Sequence, residues 1–173
     1  AGYEVTDSYK EVNDPGIYVL FKLEKSDEFI LVYTTTPWTL PANVAIAVAP
    51  EEDYTLIEIS GRKIIIAKNR LQKLSEMEFG YTILDEFKGE KLVGKKYEPL
   101  LDVPLQKKLA SGKLGKAHVI VASISLLKER VSSKMRTKKG TSGKDVFEEF
   151  VTVNEGTGFV HTAPGHGKPD NLV

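Results

Sequence analysis

The 173-residue chain contains no cysteine. Disulfide staples and cysteine-ligated zinc are therefore excluded, and the composition suits a reducing compartment. Net charge is missing as well, since 24 basic residues balance 24 acidic ones. A protein dedicated to gripping a duplex usually carries a basic excess. Any contact with nucleic acid must therefore be local, or shared with other parts of a larger protein. No apolar run reaches the roughly 18 residues of a membrane helix. The opening AGYEVTDSYK lacks the basic-then-apolar pattern of a secretion signal. The expected setting is the cytoplasm, without membrane contact.

Hydrophobic residues make up 41 % of the chain, enough for a real core in one domain. Most of the pattern is β. Gly16 to Leu23 alternates apolar and polar residues, and Phe29 to Tyr33 and Val44 to Val48 are β-rich runs. Tyr54 to Ile59, a Ser60-Gly61-Arg62 turn and Lys63 to Ala67 read as a hairpin. Asn69 is placed to cap a short helix over Arg70 to Glu78, stopped by Gly80. Residues 81–104 read as shorter β structure with turns at Gly89 and Gly94, and Tyr97 to Leu100 as an extended piece ahead of and through Pro99. Ala117 to Ala122, Phe150 to Val153 and Phe159 to Thr162 complete the strands. Residues 123–145 differ in composition: Lys128 to Lys144 holds seven basic residues and one acid, so an exposed basic loop is expected there. The fold class is α+β, predominantly β, with a β-barrel-like domain and a few short helices. Residues 1–173 form one domain, and its most distinctive motif lies close to its end, as in a piece excised from a larger protein.

Two strings carry the chemistry. The first, TTTPWTLPAN over residues 34–43, leaves a strand and meets two prolines. Pro37 and Pro41 fix φ and remove donors, which makes a rigid loop. Thr34, Thr35 and Thr36 array three hydroxyls that both donate and accept, and Trp38 adds a flat apolar wall. Threonine alone is also a good strand former and a lone tryptophan usually belongs to the core, but packing does not demand this order of residues. The second string, GTGFVHTAPGHGKPD over residues 156–170, flanks a short apolar strand with glycines. Gly156 and Gly158 permit close backbone approach to a ligand, with Thr157 between them as a further substrate-binding candidate. His161, His166 and Asp170 fall within ten residues of one another. They fit a metal site, although not at helical HExxH spacing. They also fit a polar pocket in which Asp170 binds a cation and His161 shapes the wall, while the glycines alone give a weaker phosphate cradle. His118 sits in a strand without a partner in sequence and reads as structural.

Together the strings resemble the editing domain (connective polypeptide 1) inserted in the class I synthetases for isoleucine, valine and leucine, and most closely the isoleucine branch. TTTPWTLPAN and GTGxVHTAPGHGxxD both resemble its signature strings. The valine and leucine branches carry TTRP-type strings and lack the histidine that stands here as His161. The resemblance implies that Thr34, Thr35 and Thr36 hold the terminal ribose and the attacking water. It implies that Trp38 and Asn43 complete the wall near the adenosine and amino acid. Asp170 matches the aspartate that grips the α-ammonium group, and His161 the residue that limits side-chain size. One departure lies after GHG, where the family has an acidic pair and an aromatic. This chain has Lys168-Pro169-Asp170-Asn171. The basic stretch also has no counterpart in the family pattern.

The implied function is post-transfer editing, the hydrolysis of valyl-tRNA(Ile), with pre-transfer editing left open. A pocket built for isoleucine rejects valine poorly, because one methylene is worth only about 1–3 kcal/mol, a limit for which this amino-acid pair is the usual illustration. A second pocket can apply the opposite test, exclusion by size. With no cysteine and no GxSxG elbow, the implied chemistry is direct attack by an ordered water. No metal or other cofactor is expected in this domain, ATP serving only the synthetic half that lies elsewhere. The expected partners are the tRNA 3′ CCA end carrying valine and the rest of the synthetase, with the chain monomeric. The rivals are a valine- or leucine-type editing domain, a metal-dependent hydrolase, and a non-catalytic module that binds the tRNA 3′ end.

Overall fold

The computed structural model describes residues 16–111, 117–123, 125–127, 147–149, 151 and 156–166. Strands β1 (Ile17–Lys22) and β2 (Glu28–Thr34) pair antiparallel, with Phe21 opposite Ile30. Alternation sends Phe21, Ile30 and Val32 into the core, all of them fully buried. After β3 (Ala45–Val48), strands β4 (Asp53–Ile59) and β5 (Arg62–Ala67) form the expected hairpin. Its two-residue loop places both Ser60 and Gly61 at positive φ (51° and 77°), the mirror-image turn that matches strand twist. Strand β6 (Thr82–Lys88) adds to β4 across a bulge at Leu56/Ile57. The resulting five-stranded sheet runs β1-β2-β5-β4-β6, with β2 and β5 parallel.

A second sheet positions the chemistry. Strand β7 (Val119–Ala122) lies parallel to β3 on one side, and strand β10 (Phe159–Thr162) lies antiparallel to it on the other. Between them, strands β8 (Ser125–Leu127) and β9 (Phe147–Glu149) make a separate two-stranded ribbon. The main core unites residues of both larger sheets, among them Ile30, Val32, Ile46, Tyr54, Ile65, Tyr97, Ile120 and Phe159. A smaller cluster of Ile57, Ile64, Ile66 and Leu71 tucks helix α1 (Leu71–Glu76) beside the five-stranded sheet.

The domain is mostly β with few short helices, as the sequence implies. Its strands nevertheless form separate sheets: among the described residues β1 and β6 remain open edges, so no barrel closes. Asn69 does not cap α1. A 3-10 turn over Lys68–Arg70 leads straight out of β5, and the helix begins at Leu71 without a side-chain cap. Nor does Gly80 stop it. Glu78 takes the left-handed conformation (φ 59°), with its N–H on the Ser75 carbonyl and the Phe79 N–H on the Leu74 carbonyl. These are the two bonds of a Schellman stop, accepted here by a non-glycine residue. Helix α2 (Pro104–Ser111) was not expected, because its apolar stripe is short and lysine-interrupted; Pro104 opens it. In the stretch expected to be a basic loop, residues 125–127 are strand β8, whereas residues 128–146 lie outside the described residues. The strand expected over Phe150 to Val153 lies outside the described residues except for Val151; strand β9 precedes it at Phe147–Glu149. Among the described residues no helix is long and apolar enough to cross a membrane.

Candidate active site

The two strings meet in space. Strand β2 ends at Thr34, Thr35 bends, and the chain enters a 3-10 turn over Pro37–Ala42. Pro37 sits in its first turn, where a missing N–H is harmless. Strand β10 comes back alongside β3, with His161 opposite Ile46 and Thr162 opposite Ala45. Asn43 and Val44 lead from the turn into β3, so the C-terminal end of β10 reaches the threonine turn. The Val44 N–H to Thr162 carbonyl bond (3.0 Å) and the Thr162 hydroxyl to Ala45 carbonyl bond (3.1 Å) tie the two strings together.

A relay of hydroxyls lies at this junction. The Thr36 N–H donates to Thr34 Oγ1 at 3.1 Å, and Thr36 Oγ1 stands 3.3 Å from Thr34 Oγ1 and 3.4 Å from Thr39 Oγ1. Thr39 Oγ1 donates to the Thr36 carbonyl at 2.8 Å and lies 3.0 Å from His161 Nε2. Thr34, Thr39 and His161 are buried, while Thr35 and Thr36 are exposed. Trp38 is 69 % exposed, which removes the core explanation for this lone tryptophan and leaves its ring as an open apolar face beside the hydroxyls.

Other residues of the strings are committed to the fold. Asn43 is buried: its Nδ2 donates to the Ala45 carbonyl at 2.9 Å, and its Oδ1 accepts from the Tyr97 hydroxyl at 2.6 Å. Both ends of the amide are engaged away from the hydroxyl relay. The glycines at the other end of β10 also serve packing. The Gly156 carbonyl accepts from Arg70 Nε (3.0 Å), the Thr157 carbonyl from the Ala67 N–H (3.0 Å), and the Gly158 carbonyl from the Tyr54 hydroxyl (2.6 Å). Burial pushes the Tyr54 phenol up to about 12. Ala163 to His166 forms a turn closed by the His166 N–H on the Ala163 carbonyl (3.1 Å), with Gly165 at φ 89° where a type II turn needs it. Asp170 lies outside the described residues.

Three contributors went unassigned in the sequence. Thr39 stands inside the first string, but its bond to His161 spans 122 residues and leaves no spacing signal. Gln106 of α2 is buried and donates to the carbonyls of Pro41 (2.8 Å) and Asn43 (3.2 Å), bracing the end of the turn. Tyr97 holds Asn43 from the other side.

Burial lowers the pKa of His161, and the charge of nearby His166 lowers it further. Burial likewise lowers His118, which Glu24 offsets in part. Both imidazoles are therefore neutral in the folded state at pH values where the unfolded chain, at its ordinary value of 6.5, already takes up protons. The unfolded state binds more protons there, so stability is complete above that value and falls as pH drops below it. Each histidine contributes up to about 1.4 kcal/mol per pH unit until its own folded value is reached. Melting temperature should hold from pH 8 to 7 and decline between pH 6.5 and 5. A flat profile down to pH 5 would show that neither ring is held neutral by burial.

The fold is shared with solved CP1 editing domains of leucyl-tRNA synthetases. The crystal structure of GlLeuRS-CP1 superposes with a TM-score of 0.61 over 91 % of this chain and 58 % of that one, at 13 % identity. The editing domain of the P. falciparum cytosolic leucyl-tRNA synthetase superposes with 0.55 over 86 % of this chain and 45 % of that one, at 14 % identity. By sequence the chain is a homologue of the isoleucine–tRNA ligases. It is 34 % identical to that of Clostridium kluyveri over 100 % of its own length, and 38 % identical to that of Pyrococcus horikoshii over 98 %. It spans 13 % and 14 % of the length of these two relatives. No protein-family model matches it.

Proposed function

We propose that the chain is the proofreading part of an isoleucine–tRNA ligase and hydrolyses the ester of valyl-tRNA(Ile). One observation carries the reading: a buried histidine, hydrogen-bonded into a threonine relay beside an exposed tryptophan, in a chain homologous to isoleucine–tRNA ligases. A water held by the Thr34–Thr36 hydroxyls attacks the ester carbonyl and the tRNA 3′ end leaves. Asp170 grips the α-ammonium group and so aligns the carbonyl. Trp38 offers a stacking face to the terminal adenine. His161 stands where the side chain ends and rejects one extra methylene. The scheme uses no metal and no ATP. The balanced charge of the chain fits a domain that handles only the CCA end while the rest of the synthetase holds the tRNA body.

The test mixes the protein with valyl-tRNA(Ile) and isoleucyl-tRNA(Ile) and follows release of each amino acid. Valine should leave quickly and isoleucine slowly. His161→Ala should then release isoleucine at least tenfold faster than the parent chain, since a methylene-sized exclusion is worth about 1–3 kcal/mol. Binding of valyl-adenosine without turnover would instead favour a non-catalytic module.

A further inference from the structure

The Thr39 hydroxyl has one proton to give. The Thr36 carbonyl, 2.8 Å away, takes it. What Thr39 Oγ1 presents to His161 Nε2, at 3.0 Å, is therefore a lone pair, and Nε2 must carry the ring proton. In a neutral imidazole the opposite nitrogen is then a bare acceptor. His161 is only 9 % exposed, and its Nδ1 has no hydrogen-bond partner among the described residues. The anchor is itself rigid. Thr39 is buried in a 3-10 turn that holds Pro37 and Pro41, and its own N–H also bonds the Thr36 carbonyl.

We propose that Thr39 is a positioning residue for specificity: it locks His161 into the Nε2–H tautomer and one ring orientation. The effect on selectivity rests on the hydrolytic reading above; the lock itself rests on geometry alone. A tethered ring is a wall of fixed position. Without its tether the ring has two broad χ2 wells to choose from, and a wall that swings excludes one methylene poorly.

Thr39→Val keeps the shape and removes the hydroxyl, and Thr39→Ser keeps the hydroxyl. Long-range proton–nitrogen correlation spectra of the chain, with His161 assigned by its loss in His161→Gln, report the tautomer directly. The parent and Thr39→Ser should show His161 as Nε2–H, and Thr39→Val a mixture. The ratio of valyl- to isoleucyl-tRNA hydrolysis should fall about tenfold in Thr39→Val, the scale of one lost hydrogen bond, and recover in Thr39→Ser. An Nδ1–H tautomer in the parent chain overturns the proposal, even if Thr39→Val does not fold. So does a folded Thr39→Val with unchanged tautomer and ratio. Were no chain to hydrolyse either ester, the hydrolytic reading would fail by itself. The spectra would still uphold the lock if the tautomer changes in Thr39→Val, and dismiss it if it does not.

Discussion

Replacing Asp170 with alanine should slow release of valine from valyl-tRNA(Ile) by roughly 100-fold or more. The substrate carries one fixed charge near the scissile ester, its α-ammonium group. A carboxylate on that group forms a charge-assisted hydrogen bond, shorter and about twice as strong as a neutral one. It also holds the carbonyl where an ordered water can reach it, and lost alignment is expensive in rate. Where such a pair is desolvated on binding, removing one member costs about 2–5 kcal/mol, much of it from the partner left unpaired. Asp170→Asn separates the contributions, since it keeps the shape and a hydrogen-bond acceptor but gives up the charge. Single-turnover rates at saturating and limiting tRNA would divide the loss between binding and chemistry. Asp170→Ala with undiminished rate would remove Asp170 from the mechanism.

Gly158→Ala should have the largest effect on stability, about 2–5 kcal/mol, from two additive causes. Gly158 has φ 82°, where an alanine is strained by about 1–2 kcal/mol. A Cβ there would also stand 2.4 Å from Ala67 Cβ and 3.4 Å from a Tyr54 ring carbon. Neither neighbour can retreat: Ala67 is buried and ends β5, and Tyr54 is buried and bonded to the Gly158 carbonyl. Overpacking at such a point costs typically about 1–3 kcal/mol. Gly61 is the control. Its φ is 77°, but nothing lies within 4 Å of an added Cβ, so Gly61→Ala should show the conformational part alone. Urea unfolding of both variants checks this, and equal midpoints would show that the close approach to Ala67 carries no weight.

That comparison also explains what the sequence could convey about the glycines. The GTG string signals close backbone approach, and the approach is real, but at Gly158 the neighbour is Ala67 of the protein's own sheet. A glycine in a string does not say what comes near it. The strands were legible because alternation and β-branched residues are local: β1 through β5 and β10 fall where the pattern puts them. Helix α2 was not, since its placement depends on Gln106 reaching carbonyls more than 60 residues away. The stop of α1 at Glu78 escaped for the converse reason, because tertiary packing tolerates a left-handed glutamate where propensity prefers glycine. Within the candidate site, the residue types of both strings were readable, and so was their meeting through the resemblance. Which side chains face the relay and which turn inward was not, because Asn43 is claimed by Tyr97 and His161 by Thr39 across separations of 54 and 122 residues.

The pairing of β10 with β3 has a consequence for how the domain comes into being. A ribosome delivers a chain N-terminus first, and the β1–β2 and β4–β5 hairpins close short loops that can form as soon as they emerge. The threonine turn and His161 come together only when residues near 160 return to a strand made more than 100 residues earlier. Contacts of such separation are entropically late and kinetically slow. The junction of the threonine turn with His161 thus matures late among the described contacts. A nascent or partly refolded molecule would hold its hairpins before the threonine turn and His161 have met.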